Sequence, residues 1–300
     1  MKELVHPLFK AFQQQSMDYF PRGELWIGTK VLNGAKLEDN VEGHLEIRKS
    51  MGMDLIFFPL APIPLPESDF SYRYFSIEQV TEARKLTRGF LGVVIDGPFQ
   101  RVVNKLGLIN FLSNFSRDKN YIAGILEKEA TIVRGLINDC LELNVQAVVV
   151  ADDFAWEKGT YLHPKDIKNF MFSIYSEVVN RVHETGSLAL FHSCGAISKI
   201  VPILITCGFD GLAGCQSECL DLVAFKRDYG KILTMLTGIE GNFFQTESLS
   251  SSQEQRFIRN LKILGQGGGL ILCSSCGLHS PNNLDRLRTL YQLANKTFFS

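Results

Sequence analysis

The sequence predicts a (β/α)8 barrel of the TIM type, with residues 1–300 forming one domain. Three observations predict it. Short runs of β-branched and aromatic residues recur eight times along the chain. Each is followed by a longer segment whose apolar residues have helical spacing. The runs are apolar almost throughout, as strands buried on both faces of a parallel sheet must be. A doubly wound open sheet is the rival arrangement of the same alternation.

In chain order the runs are ELWIGTK (24–30), DLIFFP (54–59), FLGVVIDG (90–97), QAVVVADD (146–153), LALFHSCG (188–195), FDGLAGCQ (209–216), ILTMLTGIEG (232–241) and GLILCSSCG (269–277). Between them, YIAGILEKEATIVRGLINDCLEL carries Ile122, Ile125, Ile132, Leu136 and Cys140 on one helical stripe, with charge opposite. Ser76 with Gln79 has the spacing of a capping box. Pro164 and Pro281 stand where a first helical turn accepts a proline. The glycines of GQGGG (265–269) precede a strand and no helix, so they read as a helix-to-strand turn and not as a phosphate loop. No Pro/Ser linker or change of composition divides the chain.

Composition narrows the function classes. The chain has 31 Lys plus Arg against 32 Asp plus Glu and no basic cluster, so nothing recommends nucleic acid or an anionic membrane as partner. The N-terminal MKELVHPLFKAFQQQ lacks the features of a secretory signal. No window approaches the ~18 uninterrupted apolar residues of a membrane span. The expectation is a cytoplasmic protein. Its seven cysteines lie mostly in apolar runs, which suits reduced thiols available to a metal.

Catalytic groups of such barrels sit at the carboxyl ends of strands. The third run ends in Asp96, the fourth in Asp152 and Asp153, the fifth in His192 and Cys194, the seventh in Glu240, and the eighth in Cys273 and Cys276. His192 and Cys194 are two apart in an extended segment, so they face one space while Phe191 and Ser193 look away. With one thiol from the eighth run they supply three ligands, and catalytic zinc keeps a fourth position open. Both Cys273 and Cys276 together would make a closed structural site. Their odd offset places them on opposite faces, which favours Cys276 as the ligand and Cys273 as a buried small hydrophobe. A bare H-x-C could equally be a hydrogen-bonded core histidine beside a buried thiol.

Asp152, Asp153 and Glu240 are the candidate catalytic carboxylates. At least one of Asp152 and Asp153 should face the barrel mouth, there to orient a metal-bound histidine, ligate the metal or bind a cationic group. Helix capping is the bland alternative for that pair. Cys215, Cys219, Cys140 and Cys207 read as strand-end, core or helix-face thiols, His163 as a helix-start residue, His183 as a solvated helix position, and His279 as a rim residue.

The stretches IDGPFQRVVNKLG, ADDFAWEKGTYLHPKDIKNF, FHSCGAISKIVPILITCGFDGL, LDLVAFKRDYGKI and GGLILCSSCGLHSPNNLDRL together resemble the uroporphyrinogen decarboxylase superfamily over about residues 50–297. Within it, H-x-C-G with a late C-G is similar to the zinc-dependent methylcobamide:coenzyme M and related corrinoid methyltransferases. The resemblance implies a (β/α)8 barrel and a zinc ion on His192, Cys194 and Cys276 that binds a thiol. It further implies methyl transfer between a methylcobalamin-type corrinoid and an acceptor such as coenzyme M. No D-x-H-x-x-G motif is present, so the corrinoid would arrive on a partner protein or free. The alternatives are the demethylating half-reaction, from an aryl methyl ether or methylamine onto the corrinoid, and a non-catalytic member with structural or no zinc. The decarboxylase branch carries an arginine-rich N-terminal motif and an acid after the second strand. Here the corresponding stretches read RGELWIGTK and DLIFFPLAP, with Pro59 about where that acid would stand, which argues against decarboxylation of a polycarboxylate.

Overall fold

The computed structural model describes residues 6–61, 72–245, 248–275 and 277–298. Each apolar run contributes a strand to one sheet, in the order β1 (Gly23–Glu24), β2 (Leu55–Leu60), β3 (Phe90–Asp96), β4 (Ala147–Ala151), β7 (Leu188–His192), β8 (Gly211–Ala213), β9 (Thr234–Ile239) and β10 (Leu270–Ser274). Every neighbouring pair is parallel. The numbers missing from that row, β5 (Ala155–Trp156) and β6 (Gly159–Thr160), form a small antiparallel hairpin after β4. The sheet closes where parallel bridges join Arg22 to Leu272 and Ile27 to Leu278, with the Leu272 N–H donating to Pro21 O at 2.7 Å. The result is the expected (β/α)8 barrel.

The helices, in chain order, are α1 (Phe9–Phe12), α2 (Thr29–Gly34), α3 (Val41–Ser50), α4 (Ile77–Leu86), α5 (Pro98–Leu106), α6 (Leu108–Arg117), α7 (Lys119–Glu142), α8 (Pro164–Glu184), α9 (Val201–Cys207), α10 (Leu222–Tyr229), α11 (Ser251–Leu264) and α12 (Asn282–Phe298). None of the described helices is long and apolar enough to cross a membrane.

Side-chain alternation along the strands sorts the apolar residues into two cores. Phe90, Val94, Ala147, Val149, Ala151, Leu188, Leu190, Ala213, Leu236, Ile271 and Cys273 fill the barrel interior. The intervening Leu91, Val93, Ile95, Val148, Val150, Phe191, Leu212, Met235 and Leu272 pack outward against the helices. The small α1 closes the interior at the strands' amino ends. Its Phe12 stacks on Phe90 with centroids 5.9 Å apart, and Thr234 Oγ1 donates to Ala11 O at 3.2 Å. The opposite, carboxyl-terminal face is therefore where a cavity can form.

Local signals read from the sequence reappear. Ser76 and Gln79 make a reciprocal capping box on α4, and His163 caps α8 by accepting from Lys165 N at 3.1 Å with Pro164 at the first helical position. Gly267, Gly268 and Gly269 all have positive φ (74°, 82° and 70°) in the turn from α11 to β10, a conformation other residues rarely hold.

Three expectations are corrected. The first run supplies only Glu24 to β1, whose other residue is Gly23, and Thr29 already begins α2. Pro281 lies just before α12, which starts at Asn282. Ile132 is 38% exposed and off the buried stripe of α7. That stripe is Ile122, Leu126, Ala130, Val133, Leu136, Ile137 and Cys140, because a true 3.6-residue period carries Ile132 round to the helix flank.

Candidate metal centre

His192 is the last residue of β7, and its neighbours in register are Ala151 on β4 and Ala213 on β8. Because Leu188 and Leu190 point into the barrel, so does His192, at its upper rung. Its Nε2 lies 3.7 Å from Cys194 Sγ and 3.8 Å from Asp153 Oδ1. The donor atoms of Asp153, His192 and Cys194 all lie within 4.8 Å of one another. The loop that carries Cys194 is tied down: its N–H donates to Asp153 Oδ1 at 2.7 Å, and Gly195 N donates to Gln216 Oε1 at 3.0 Å. Gly195, at φ 84°, wedges against the Ala155 and Trp156 backbone of the β5–β6 hairpin, where a Cβ would have no room.

The donor set fits zinc. Arms of 2.0–2.1 Å to nitrogen and 2.3 Å to sulfur at a tetrahedral angle put N and S about 3.5 Å apart. The observed 3.7 Å meets that edge without rearrangement. Burial lowers the His192 pKa, favouring the neutral ring that ligates metal. Trp26 packs edge-on against this ring with centroids 4.5 Å apart. Behind it, His192 Nδ1 has no hydrogen-bond partner among the described residues, and it faces Gly214, where a Cβ would come within 2.5 Å of Cε1 and 2.7 Å of Nδ1. Glycine at 214 is thus what leaves the ring its space.

The other expected residues divide. Cys276 lies outside the described residues. Its neighbour Gly277 packs against Trp26, the residue that lies on His192. Cys273 is buried inside the barrel, on the inward side that His192 also faces, its Sγ 3.8 Å from Glu24 Oε2. Asp153 joins the metal cluster. Asp152, one residue after the inward Ala151, is turned the other way into the helical layer. There it is fully buried, accepts from Tyr175 Oη at 2.5 Å and from Gln100 N at 2.6 Å, and burial pushes its pKa up to about 8. Its geometry is that of a clamp between β4, α5 and α8, outside the His/Cys/Asp cluster.

Glu240 also lies outside the cluster. Beyond the end of β9, Glu240 turns to α11, pairing with Arg256 Nη2 at 2.8 Å and accepting from Asn260 at 3.4 Å. His183 is held by Asp210 at 2.8 Å, and His279 meets Tyr72 at 2.5 Å on the rim.

Three residues at the mouth escaped assignment. Asp96 ends β3 in register with Ala151, hence on the same rung as His192, and Tyr74 Oη donates to it at 3.2 Å. Burial raises the Asp96 pKa to about 6 despite that bond. The position of Asp96 at a run's end was a signal; nothing in SYRYF marks Tyr74. Trp26 likewise has no local signature.

With the barrel and its His/Cys/Asp cluster established, the comparisons with known proteins become informative. The profile of the family described as uroporphyrinogen decarboxylase (URO-D) matches residues 60–297. The chain belongs to the uroporphyrinogen decarboxylase family. Among curated proteins it is 21% identical over 220 residues to the methylcobamide:CoM methyltransferase MtaA of Methanosarcina barkeri, covering 71% of this chain and 62% of that protein. The chain thus spans under two thirds of that relative's length. A solved methyltransferase from Methanosarcina mazei superposes with a TM-score of 0.78 at 15% identity, over 98% of each chain. A D-psicose 3-epimerase from Clostridium cellulolyticum H10 shares the barrel more loosely, with a TM-score of 0.53 at 12% identity over 87% of this chain and 92% of that one. This member of the family keeps its His192–Cys194 pair at the strand end where the barrel opens.

Proposed function

We propose that this uroporphyrinogen decarboxylase family member is a methyltransferase that moves a methyl group between a corrinoid carried by a partner protein and a small thiol, with zinc held by His192, Cys194 and Cys276. The observation that carries the reading is the convergence of His192 Nε2, Cys194 Sγ and Asp153 Oδ1 on one point of the barrel mouth. The similarity to a protein named for methylcobamide:CoM methyl transfer supports the substrate pair.

Zinc there would lower the pKa of a bound thiol, ordinarily near 8.5, so that its sulfur is a nucleophile at neutral pH. The chain's own groups do the rest. His192 is fixed by Trp26 on one side and by the Gly214 gap on the other. Cys194 is fixed by Asp153 and Asp153 by Cys194. The Asp153 side chain, 44% exposed, is the donor a substrate can displace, which keeps one position exchangeable. The interior below is filled by the Phe90, Val94, Val149 and Leu190 layer, so reactants would reach the cluster across the carboxyl-terminal rim.

Metal analysis with a spectroscopic assay tests this. One zinc per chain, and loss of methyl–cobalt absorbance from methylcobalamin that needs both a thiol and the zinc, is the expected result. A metal-loaded protein that leaves methylcobalamin intact with every thiol would overturn thiol methylation and favour the demethylating half-reaction.

A further inference from the structure

We propose that Asp96, oriented by Tyr74 and Asn104, is a specificity-determining residue that selects substrates whose polar end is a cation, an alkylammonium thiol above all, over thiols ending in a sulfonate or carboxylate. The inference rests on the functional reading above and names the substrate class of that site.

The register places the two ends of such a substrate. Asp96, Ala151 and His192 lie side by side on three adjacent strands, so their side chains share a rung and a direction. Neighbouring parallel strands are about 4.8 Å apart, which separates the Asp96 and His192 backbones by about 10 Å. Both side chains reach inward across that gap, and a short carbon chain with sulfur at one end and a charge at the other bridges it.

The carboxylate is built in. Tyr74 Oη donates to Oδ1 at 3.2 Å and to Oδ2 at 3.4 Å, and Asn104 Nδ2 donates to Oδ2 at 3.4 Å. These are long, neutral contacts that leave acceptor capacity toward the mouth. Among the described residues neither Asp96 nor Asp153 is ion-paired with Lys or Arg. Arg101, whose charge reaches Asp96, is held by Glu129 Oε2 at 3.0 Å, and Glu129 is also bound by Lys105 at 2.5 Å. Lys158 on the rim hairpin lies over the Trp156 ring at 5.6 Å. An anionic tail would meet the Asp96 carboxylate with no Lys or Arg among the described residues paired to it.

The remaining wall is aromatic. Trp26 lies against His192, Tyr72 lies 6.1 Å from Trp26, and Tyr161 sits within the fields of both Asp153 and Cys194. Ring faces and a carboxylate are the combination that takes an ammonium group and repels an anion.

Calorimetric titration of the zinc-loaded full chain with cysteamine, mercaptoethanol and mercaptoethanesulfonate tests the assignment at neutral pH. These share a thiol on a two-carbon chain and differ in tail charge. The expected order of affinity is cation, then neutral, then anion, with about tenfold between the extremes. Asp96→Asn should collapse that ratio, and Tyr74→Phe should reduce it. If mercaptoethanesulfonate binds as well as cysteamine, or the ratio survives Asp96→Asn, the assignment of Asp96 fails although the metal reading stands. If zinc is present and no thiol binds, both fail.

Discussion

The hydroxyl of Tyr175 on α8 donates to the Asp152 carboxylate at 2.5 Å, and Gln100 N on α5 donates to the other oxygen at 2.6 Å. One buried side chain thereby joins the end of β4 to two helices. Tyr175→Phe leaves a fully buried oxygen without its donor, and should destabilise the fold by about 1–3 kcal/mol in urea unfolding. Zinc content should stay at the wild-type level, because Asp152 faces away from His192. Loss of metal in this variant would contradict the separation of the two carboxylates.

For the metal ligands, His192→Ala, Cys194→Ser and Cys276→Ser should each reduce bound zinc to a small fraction of one per chain by elemental analysis. Circular dichroism should remain that of the wild type, since the barrel's two apolar cores do not involve the site. Cys273→Ala is the control: its thiol lies inside the barrel beside Glu24, so this variant should keep its zinc.

Gly214 provides a test without touching a ligand. A methyl group there would approach His192 Nδ1 to 2.7 Å, on a backbone at φ 80° that disfavours alanine. Gly214→Ala should therefore tilt the imidazole and weaken zinc by at least about tenfold in competition with a chelator. Unchanged affinity would show that the ring does not depend on this space.

Away from the site, His44 makes stability depend on pH. Its Nε2 pairs with Asp39 Oδ1 at 2.8 Å and its Nδ1 faces Arg48 Nη1 at 2.9 Å. Burial, with the Arg48 charge, lowers its pKa from 6.5 to about 4. The unfolded chain then binds a proton between those values that the folded chain refuses. Stability from this group is complete above pH 6.5 and is lost as the pH falls toward 4, by up to about 3 kcal/mol. Chemical denaturation across that interval should show the slope in wild type and a flatter one in His44→Gln.

Much of the molecule is legible without coordinates because much of it is local. The eight runs, the Ser76–Gln79 capping box, the His163 cap and the glycine turn before β10 depend on residues within a few positions of each other. The pairing of His192 with Cys194 is of the same kind, since two residues of spacing in an extended chain fix a shared side.

What the sequence by itself determined, then, is the alternation that builds a barrel and the pair of soft ligands at one strand end. Tertiary structure alone decided which acids join them. Asp153 enters the cluster and Asp152 leaves it because Ala151 happens to be the last inward rung of β4; Glu240, past the end of β9, is taken up by Arg256 of α11. Asp96, Tyr74 and Trp26 reach the same mouth from three separate segments, brought there by strand register and barrel closure. The physical reason is that side-chain direction at a strand's end follows from where pairing stops, and pairing is a property of two strands, not of one.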